Sequence, residues 1–157
     1  MTAERLNEIH LADLVALHLD AEVSRYLGGV RTPEVTKTYL ATNMAHWDEH
    51  GFGLWTLRTT DGAFAGRAGL RHICVDDVDE IEILYAFKRE FWGQGFASEV
   101  ATALTDLGLS RLKLLSLIGI VNVANVASRR ALEKSNYLLE RSTIRNGERV
   151  VIYRIGP

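Results

Sequence analysis

Apolar residues at Leu11, Leu14, Val15, Leu17 and Leu19 recur at three- and four-residue intervals, which predicts a helix over Leu11 to Leu19. A second helix opens with Thr32 as N-cap and Pro33 in its first position, where a missing N–H costs nothing, and stops at Gly51. From there the pattern reads as strands. Gly53 to Thr59 and Ala63 to Val75 flank Thr60-Asp61-Gly62, a hairpin turn signal, and the acidic turn Asp76 to Asp79 leads into Glu80 to Phe87. A helical face of Ala97, Val100, Ala101, Leu104 and Leu107 follows. Lys113 to Val121 is nearly all apolar, as a central strand buried on both faces would be. A short helix from Val126 to Ser135 precedes two strands, Tyr137 to Arg145 and Glu148 to Ile155, joined by the two-residue turn Asn146-Gly147.

This order of elements predicts an α/β (α+β) fold with a mixed, mostly antiparallel sheet. The connection from Glu80–Phe87 through a helix to Lys113–Val121 reads as a parallel crossover within it. No repeat, low-complexity tract or linker interrupts the chain, so residues 1–157 are expected to form one domain.

Composition narrows the class without naming a function. With 47% hydrophobic and 24% charged residues the chain is ordinary globular material. A formal net charge of −2 argues against a general nucleic-acid binder. Cys74 is the one cysteine, so no intramolecular disulfide forms; its apolar setting predicts a buried thiol. Glu4, Arg5 and Glu8 break up the N-terminus as a signal peptide, and the longest apolar run, Leu114 to Val121, is too short to cross a bilayer. A cytoplasmic protein with no membrane partner is expected.

The chemistry concentrates at Gly93-Gln94-Gly95-Phe96-Ala97-Ser98-Glu99, a small-residue turn between a strand and a helix. Such a turn directs backbone N–H groups from the positive end of a helix at whatever lies before it, and an anion suits that place. A dinucleotide fold would need an acidic residue about 20 positions on, and Leu107 to Ala131 contains none.

The stretch Ile83-Leu84-Tyr85, then Phe91 to Glu99, resembles the acetyl-CoA-binding motif of the GNAT superfamily, and within it the RimJ/RimL branch. The block Asn125-Val126-Ala127-Ser128, with Leu132-Glu133-Lys134-Ser135-Asn136-Tyr137, is similar to that branch's second motif. Leu84, Arg89 and Asn136 stand where the pattern has glycine, proline and glycine; Asn tolerates left-handed backbone, so the last change is mild. The resemblance implies a single GNAT-like domain whose middle parallel strands splay apart, with helices on both faces. It implies an N-acetyltransferase that moves the acetyl group of acetyl-CoA directly to an amine, a protein N-terminus or a small molecule, with no metal and with a homodimer as an admissible assembly. Gln94, Gly95, Phe96, Ala97 and Ser98 would surround the pyrophosphate. The strand end at Tyr85, Ala86 and Phe87 would take the pantetheine arm by backbone pairing. Asn125 would touch that arm and Ser128 would sit near the thiol. The tyrosine that many relatives use as general acid is replaced by Leu132.

Glu80 and Glu82 share one strand face by period 2, and either is a candidate general base. Asn125 is equally well explained as a helix N-cap. Two further readings remain at this point. One is a catalytically inactive CoA-sensing module of the same fold. The other is a zinc hydrolase through His46, Glu49 and His50, which match H-x-x-E-H.

Overall fold

A computed structural model describes all 157 residues. Seven strands form one mixed sheet: β1 (Thr2–Arg5), β2 (Leu54–Arg58), β3 (Phe64–Val75), β4 (Val78–Phe87), β5 (Leu117–Asn122), β6 (Leu138–Arg145) and β7 (Glu148–Ile155). Their order across the sheet is β1-β2-β3-β4-β5-β7-β6. β1/β2, β2/β3, β5/β7 and β6/β7 pair antiparallel. β4 and β5 pair in parallel, with Glu82 opposite Ile118, which is the expected crossover. The helices are α1 (Leu11–Leu19), α2 (Ala21–Ser24), α3 (Pro33–His50), α4 (Phe96–Asp106) and α5 (Val126–Lys134).

Local chemistry sets the boundaries. The Thr32 hydroxyl accepts from Val35 N–H at 3.2 Å, and α3 ends where Gly51 takes φ +72° and donates its N–H to the Trp47 carbonyl. Asn146 and Gly147 have φ of +51° and +78°, the pair of left-handed residues that a type I′ hairpin needs. Asn136 has φ +65°, so it fills a position for which glycine is the commoner choice.

The chain packs as two compact units, Met1–Gly69 with Tyr85–Gln94, and Leu70–Leu84 with Gly95–Pro157. In the first, Leu17, Val23, Phe64 and Ala86 form a buried cluster with Leu27 against it. Two glycines permit close approach there. A Cβ on Gly66 would stand 2.1 Å from the Ala86 carbonyl oxygen, and one on Gly69 would stand 2.3 Å from that of Gly53. The second unit is built on Val75, Ile118 and Ile152, with Ile73 and Ile120 packed on them.

Two expectations fail for physical reasons. The strand expected from Lys113 begins at Leu117. α4 instead runs on through a π turn, Leu107–Arg111, in which Leu112 N–H reaches the Leu107 carbonyl at 2.9 Å, and the chain reverses at Lys113 with φ +58°. Cys74 is exposed, not buried. At the end of β3, Val75 turns inward and its neighbour therefore turns outward, as strand alternation requires.

Candidate active site

The turn before α4 is braced from behind. Trp92 Nε1 donates to the Phe87 carbonyl at 2.9 Å, and Gln94 Nε2 to the Glu90 carbonyl at 2.7 Å. The Gln94 side-chain amide is thus spent on the turn. Gly93 and Gly95 hold φ of +74° and +84°, and a Cβ added to either would meet nothing within 4 Å. These two glycines keep space rather than fill it. Gly95 is the N-cap of α4 and supplies no side-chain cap; its carbonyl accepts from Glu99 N–H at 3.1 Å. The positive end of α4 therefore opens on a braced turn in which neither Gly93 nor Gly95 puts a side chain into the space before it, a suitable seat for a phosphate. Ser98 is half-buried, and its carbonyl takes a 2.9 Å bond from the Thr102 hydroxyl.

The end of β4 is fixed by packing. Tyr85 is half-buried, while Ala86 and Phe87 are 8% and 6% exposed. Lys88 N–H pairs with the Ala65 carbonyl at 2.9 Å just beyond it. The Gly66 contact belongs here: any side chain at 66 would displace the Ala86 backbone. Sequence reasoning missed Gly66, and its only signal was a glycine inside a strand.

The two candidate bases differ in how fully they are occupied. Arg154 grips Glu80 with two parallel bonds, Nη2 to Oε1 at 2.6 Å and Nη1 to Oε2 at 3.0 Å. Arg154 also binds Glu140 at 2.8 Å and the Ser116 hydroxyl at 3.0 Å, and the Glu80 and Glu140 carboxylates push its pKa up. Glu82 is 7% exposed, and Arg71 reaches it through Nε at 2.9 Å and Nη2 at 2.8 Å, both on Oε2. Arg71 thus makes both of these contacts to one oxygen of Glu82, while Arg154 contacts both oxygens of Glu80. Neither arginine was identified from the sequence: Arg154 lies on β7, far from β4 along the chain, and Arg71 lies on the neighbouring β3.

Asn125 caps α5, accepting from Ser128 N–H at 3.2 Å through Oδ1. Ser128 thus sits in the first turn, half-buried. Leu132 is 1% exposed and its Cδ1 lies 2.4 Å from where a Cβ on Gly119 would be, so this position is packing and offers no proton. Ser135, 5% exposed, ties the end of α5 to α4 through Thr102 at 3.2 Å, and Tyr137 does so through Thr105 at 2.9 Å.

The H-x-x-E-H stretch lies at the end of α3. The His46 and His50 rings are 4.5 Å apart, His46 Nδ1 bonds the Phe52 carbonyl at 2.8 Å, and His50 faces Glu49 at 3.6 Å. Trp47 and Trp55 meet edge to face at 4.9 Å, with Trp47 Nε1 donating to the Leu54 carbonyl.

Behind the first unit's helices lies a buried basic group. His18 is fully buried; its Nε2 faces Arg31 Nη1 at 3.3 Å and Arg67 Nε at 3.5 Å, and its Nδ1 faces the Thr36 hydroxyl at 2.9 Å. Both guanidiniums stack on Tyr39, at 4.9 and 5.1 Å from the ring centre. Burial, helped by the two arginine charges, pushes the His18 pKa down to about 3. A neutral ring accepts from both cations at Nε2, which leaves Nδ1–H to donate to Thr36.

The model of the acetyltransferase (GNAT) domain family matches residues 2–137. The uncharacterized protein YkkB of Bacillus subtilis is 28% identical over 116 residues, 73% of this chain and 67% of that protein. Among solved structures, RimL, the ribosomal L7/L12 alpha-N-protein acetyltransferase in complex with coenzyme A, superposes with a TM-score of 0.80 at 20% identity, covering 98% of this chain and 92% of that one. The spermidine N-acetyltransferase of Vibrio cholerae, in complex with CoA and spermine, gives 0.79 at 17% identity, covering 98% and 94%. At these identities the structures share the fold with this chain.

Proposed function

The chain belongs to the GNAT acetyltransferase family, and from that premise we propose that it acts as one GNAT domain, transferring the acetyl group of acetyl-CoA directly to an amine. The observation that carries this reading is the entrance of α4, where Gly93 and Gly95 contribute no side chain and nothing lies within 4 Å of where their Cβ atoms would be. The pyrophosphate of CoA sits there, held by the backbone N–H groups from Gln94 to Ala97 with the Ser98 hydroxyl beside them. The pantetheine arm pairs with the backbone of Tyr85 to Phe87, and an N–H near Ala86 polarises the thioester carbonyl. Asn125 and Ser128, at the start of α5, lie along the arm and near the thiol.

In the reaction the acceptor nitrogen attacks the thioester carbon and forms the C–N bond. Collapse of the tetrahedral species breaks the C–S bond, and the electron pair leaves with the thiolate. A thiol pKa of about 8.5 makes that departure possible without a strong acid, in keeping with Leu132. The amine proton passes to the Glu82 carboxylate, directly or through one water. Glu80, gripped on both oxygens, is the poorer acceptor. Deprotonating an α-amine at pH 7 costs about 1.4 kcal/mol and a lysine about 4.6 kcal/mol, so an α-amine needs only a weak base. The acceptor is a protein N-terminus or a small-molecule amine, and the RimJ/RimL branch favours the former. Its setting is the cytoplasm; no helix of the chain is long and apolar enough to cross a membrane.

The test is release of CoA thiol from acetyl-CoA over a panel of peptide N-termini, polyamines, aminoglycosides and free amino acids. Turnover with one acceptor class supports the reading. CoA binding with no turnover for any acceptor would make the chain a CoA-binding module. No CoA binding would overturn the assignment of the turn.

A further inference from the structure

His18 offers one lone pair at Nε2, and two guanidiniums converge on it, Arg31 through Nη1 at 3.3 Å and Arg67 through Nε at 3.5 Å. A single lone pair does not serve two donors at full strength, and both distances are long for a hydrogen bond. The other contacts of Arg31 are the Leu27 carbonyl at 3.0 Å and the face of Tyr39, both uncharged. Arg67 stacks on Tyr39 as well, and the buried hydroxyl of that ring has no hydrogen-bond partner. Both arginine charges act with burial to push the His18 pKa down, and no carboxylate pulls it back up. Two neighbouring positive charges in a protein interior are costly, and an anion between them relieves that cost.

The geometry points to a binding site for a small oxyanion, a carboxylate or a phosphate, between Arg31, Arg67 and the Tyr39 hydroxyl. A guanidinium carries five N–H donors in a planar fork that fits two oxygens of such a group, and the Tyr39 hydroxyl donates to the same group. The Thr36 hydroxyl, 2.9 Å from His18 Nδ1, fixes the ring so that its lone pair stays toward the two cations. Arg31 is half-buried and belongs to the loop between α2 and α3. Gly28 in that loop is exposed, and a Cβ on Gly28 or Gly29 would meet nothing within 4 Å, so the anion enters from this side. Arg67, 2% exposed, closes the inner end. It directly follows Gly66, whose backbone abuts the Ala86 carbonyl. On the acetyl-transfer reading, on which this last assignment rests, the source of the oxyanion is the acceptor itself, an amine that also carries an acidic group. A free inorganic anion is the other source of the same chemistry.

Phosphate titrations at constant ionic strength, read by calorimetry and by thermal melting, test the site without acetyl-CoA. The wild type binds phosphate in the millimolar range or tighter and melts higher in its presence. Arg31→Gln weakens binding by about tenfold or more, as loss of a charged donor does. Tyr39→Phe weakens it by about fivefold, yet without phosphate it melts no lower than the wild type, because it removes a buried hydroxyl that has no partner. Turnover with matched acceptors, acid against amide, separates the two sources. If the acceptor supplies the oxyanion, KM for the acid is lower by about tenfold or more, Arg31→Gln closes that gap, and phosphate competes with the acid. Phosphate binding with equal KM for acid and amide assigns the site to a free anion. Undetectable phosphate binding together with equal KM values overturns the site, as does wild-type phosphate affinity in both variants. Absence of turnover with every acceptor counts against the acetyl-transfer reading alone, and the phosphate titration then decides the site by itself.

Discussion

A methyl group added at Gly66 would stand 2.1 Å from the Ala86 carbonyl oxygen; one added at Gly95 would meet nothing within 4 Å. The two glycines serve opposite ends. At Gly66 the missing side chain lets two backbones touch, in a region closed by Leu17, Val23, Phe64 and Ala86. At Gly95 it keeps a volume open in front of a helix whose first turn has no side-chain cap. The closed region should answer to substitution in stability and the open one in ligand affinity. A glycine's role follows from what would occupy its Cβ position, which a sequence does not display.

The largest contrast is expected at Gly66. Gly66→Ala forces backbone against backbone, where no rotamer can relieve the overlap, at a cost of about 3 kcal/mol. For a chain of this size the melting temperature should drop by roughly 10 °C. An unchanged melt would show that β3 and β4 shift apart freely and that the region is not closed.

Glu80 and Glu82 repeat the contrast between filled and open. Glu82→Gln should lower turnover by about 10²–10⁴-fold, as loss of a general base does, with CoA affinity nearly unchanged. The deficit should shrink as pH rises, because more of the acceptor is then already neutral. Glu80→Gln should leave turnover within a few-fold of wild type and should lower the melting temperature instead, since it removes one of the two carboxylates that hold Arg154. Reversed outcomes in a pH–rate series on both variants would move the base to Glu80.

At Gly95 the prediction inverts that for Gly66. Gly95→Arg should reduce CoA affinity at least tenfold, about 1.4 kcal/mol, while the melt falls only by the modest strain of a side chain at φ +84°. A variant that melts like Gly66→Ala and still binds CoA would dissolve the distinction.

A gradual effect belongs to pH in the closed region. His18 has its folded pKa lowered from 6.5 to about 3, so below pH 6.5 the unfolded chain takes up a proton that the folded chain refuses. Stability is fully present above about pH 6.5 and declines as pH falls toward 3, by up to about 1.4 kcal/mol per unit. Between pH 6.5 and 4.5 this decline is separate from the carboxylates Glu4, Asp20, Asp61 and Glu140, whose lowered pKa values act below 4.5. Melts from pH 7 to 5 should therefore slope downward for the wild type and lie flatter for His18→Gln.

What the sequence disclosed was local or periodic. Thr32-Pro33 and Gly51 bound α3, Asn146-Gly147 closes the last hairpin, and the glycines before Phe96 mark a strand-to-helix turn, all within a few residues. What it withheld was pairing at a distance. Arg154 and Glu80 are 74 residues apart, so the occupation of that carboxylate could not be read from β4 alone. Arg71 and Glu82 are 11 apart and lie on adjacent strands, and a register argument across the hairpin would have found them. Cys74 was misjudged because an apolar neighbourhood was weighed above alternation. The strand expected from Lys113 begins only at Leu117, because periodicity cannot reveal the π turn, Leu107–Arg111, that extends the helix before it.

The central claim is that the open turn before α4 holds the pyrophosphate of CoA. Calorimetry with CoA and with pantetheine, on the wild type and Gly95→Arg, tests it most directly, because pantetheine lacks the group in question. The account predicts that the wild type prefers CoA and that the variant loses this preference while its weaker affinity for pantetheine persists. Undiminished preference for CoA in the folded variant would contradict it.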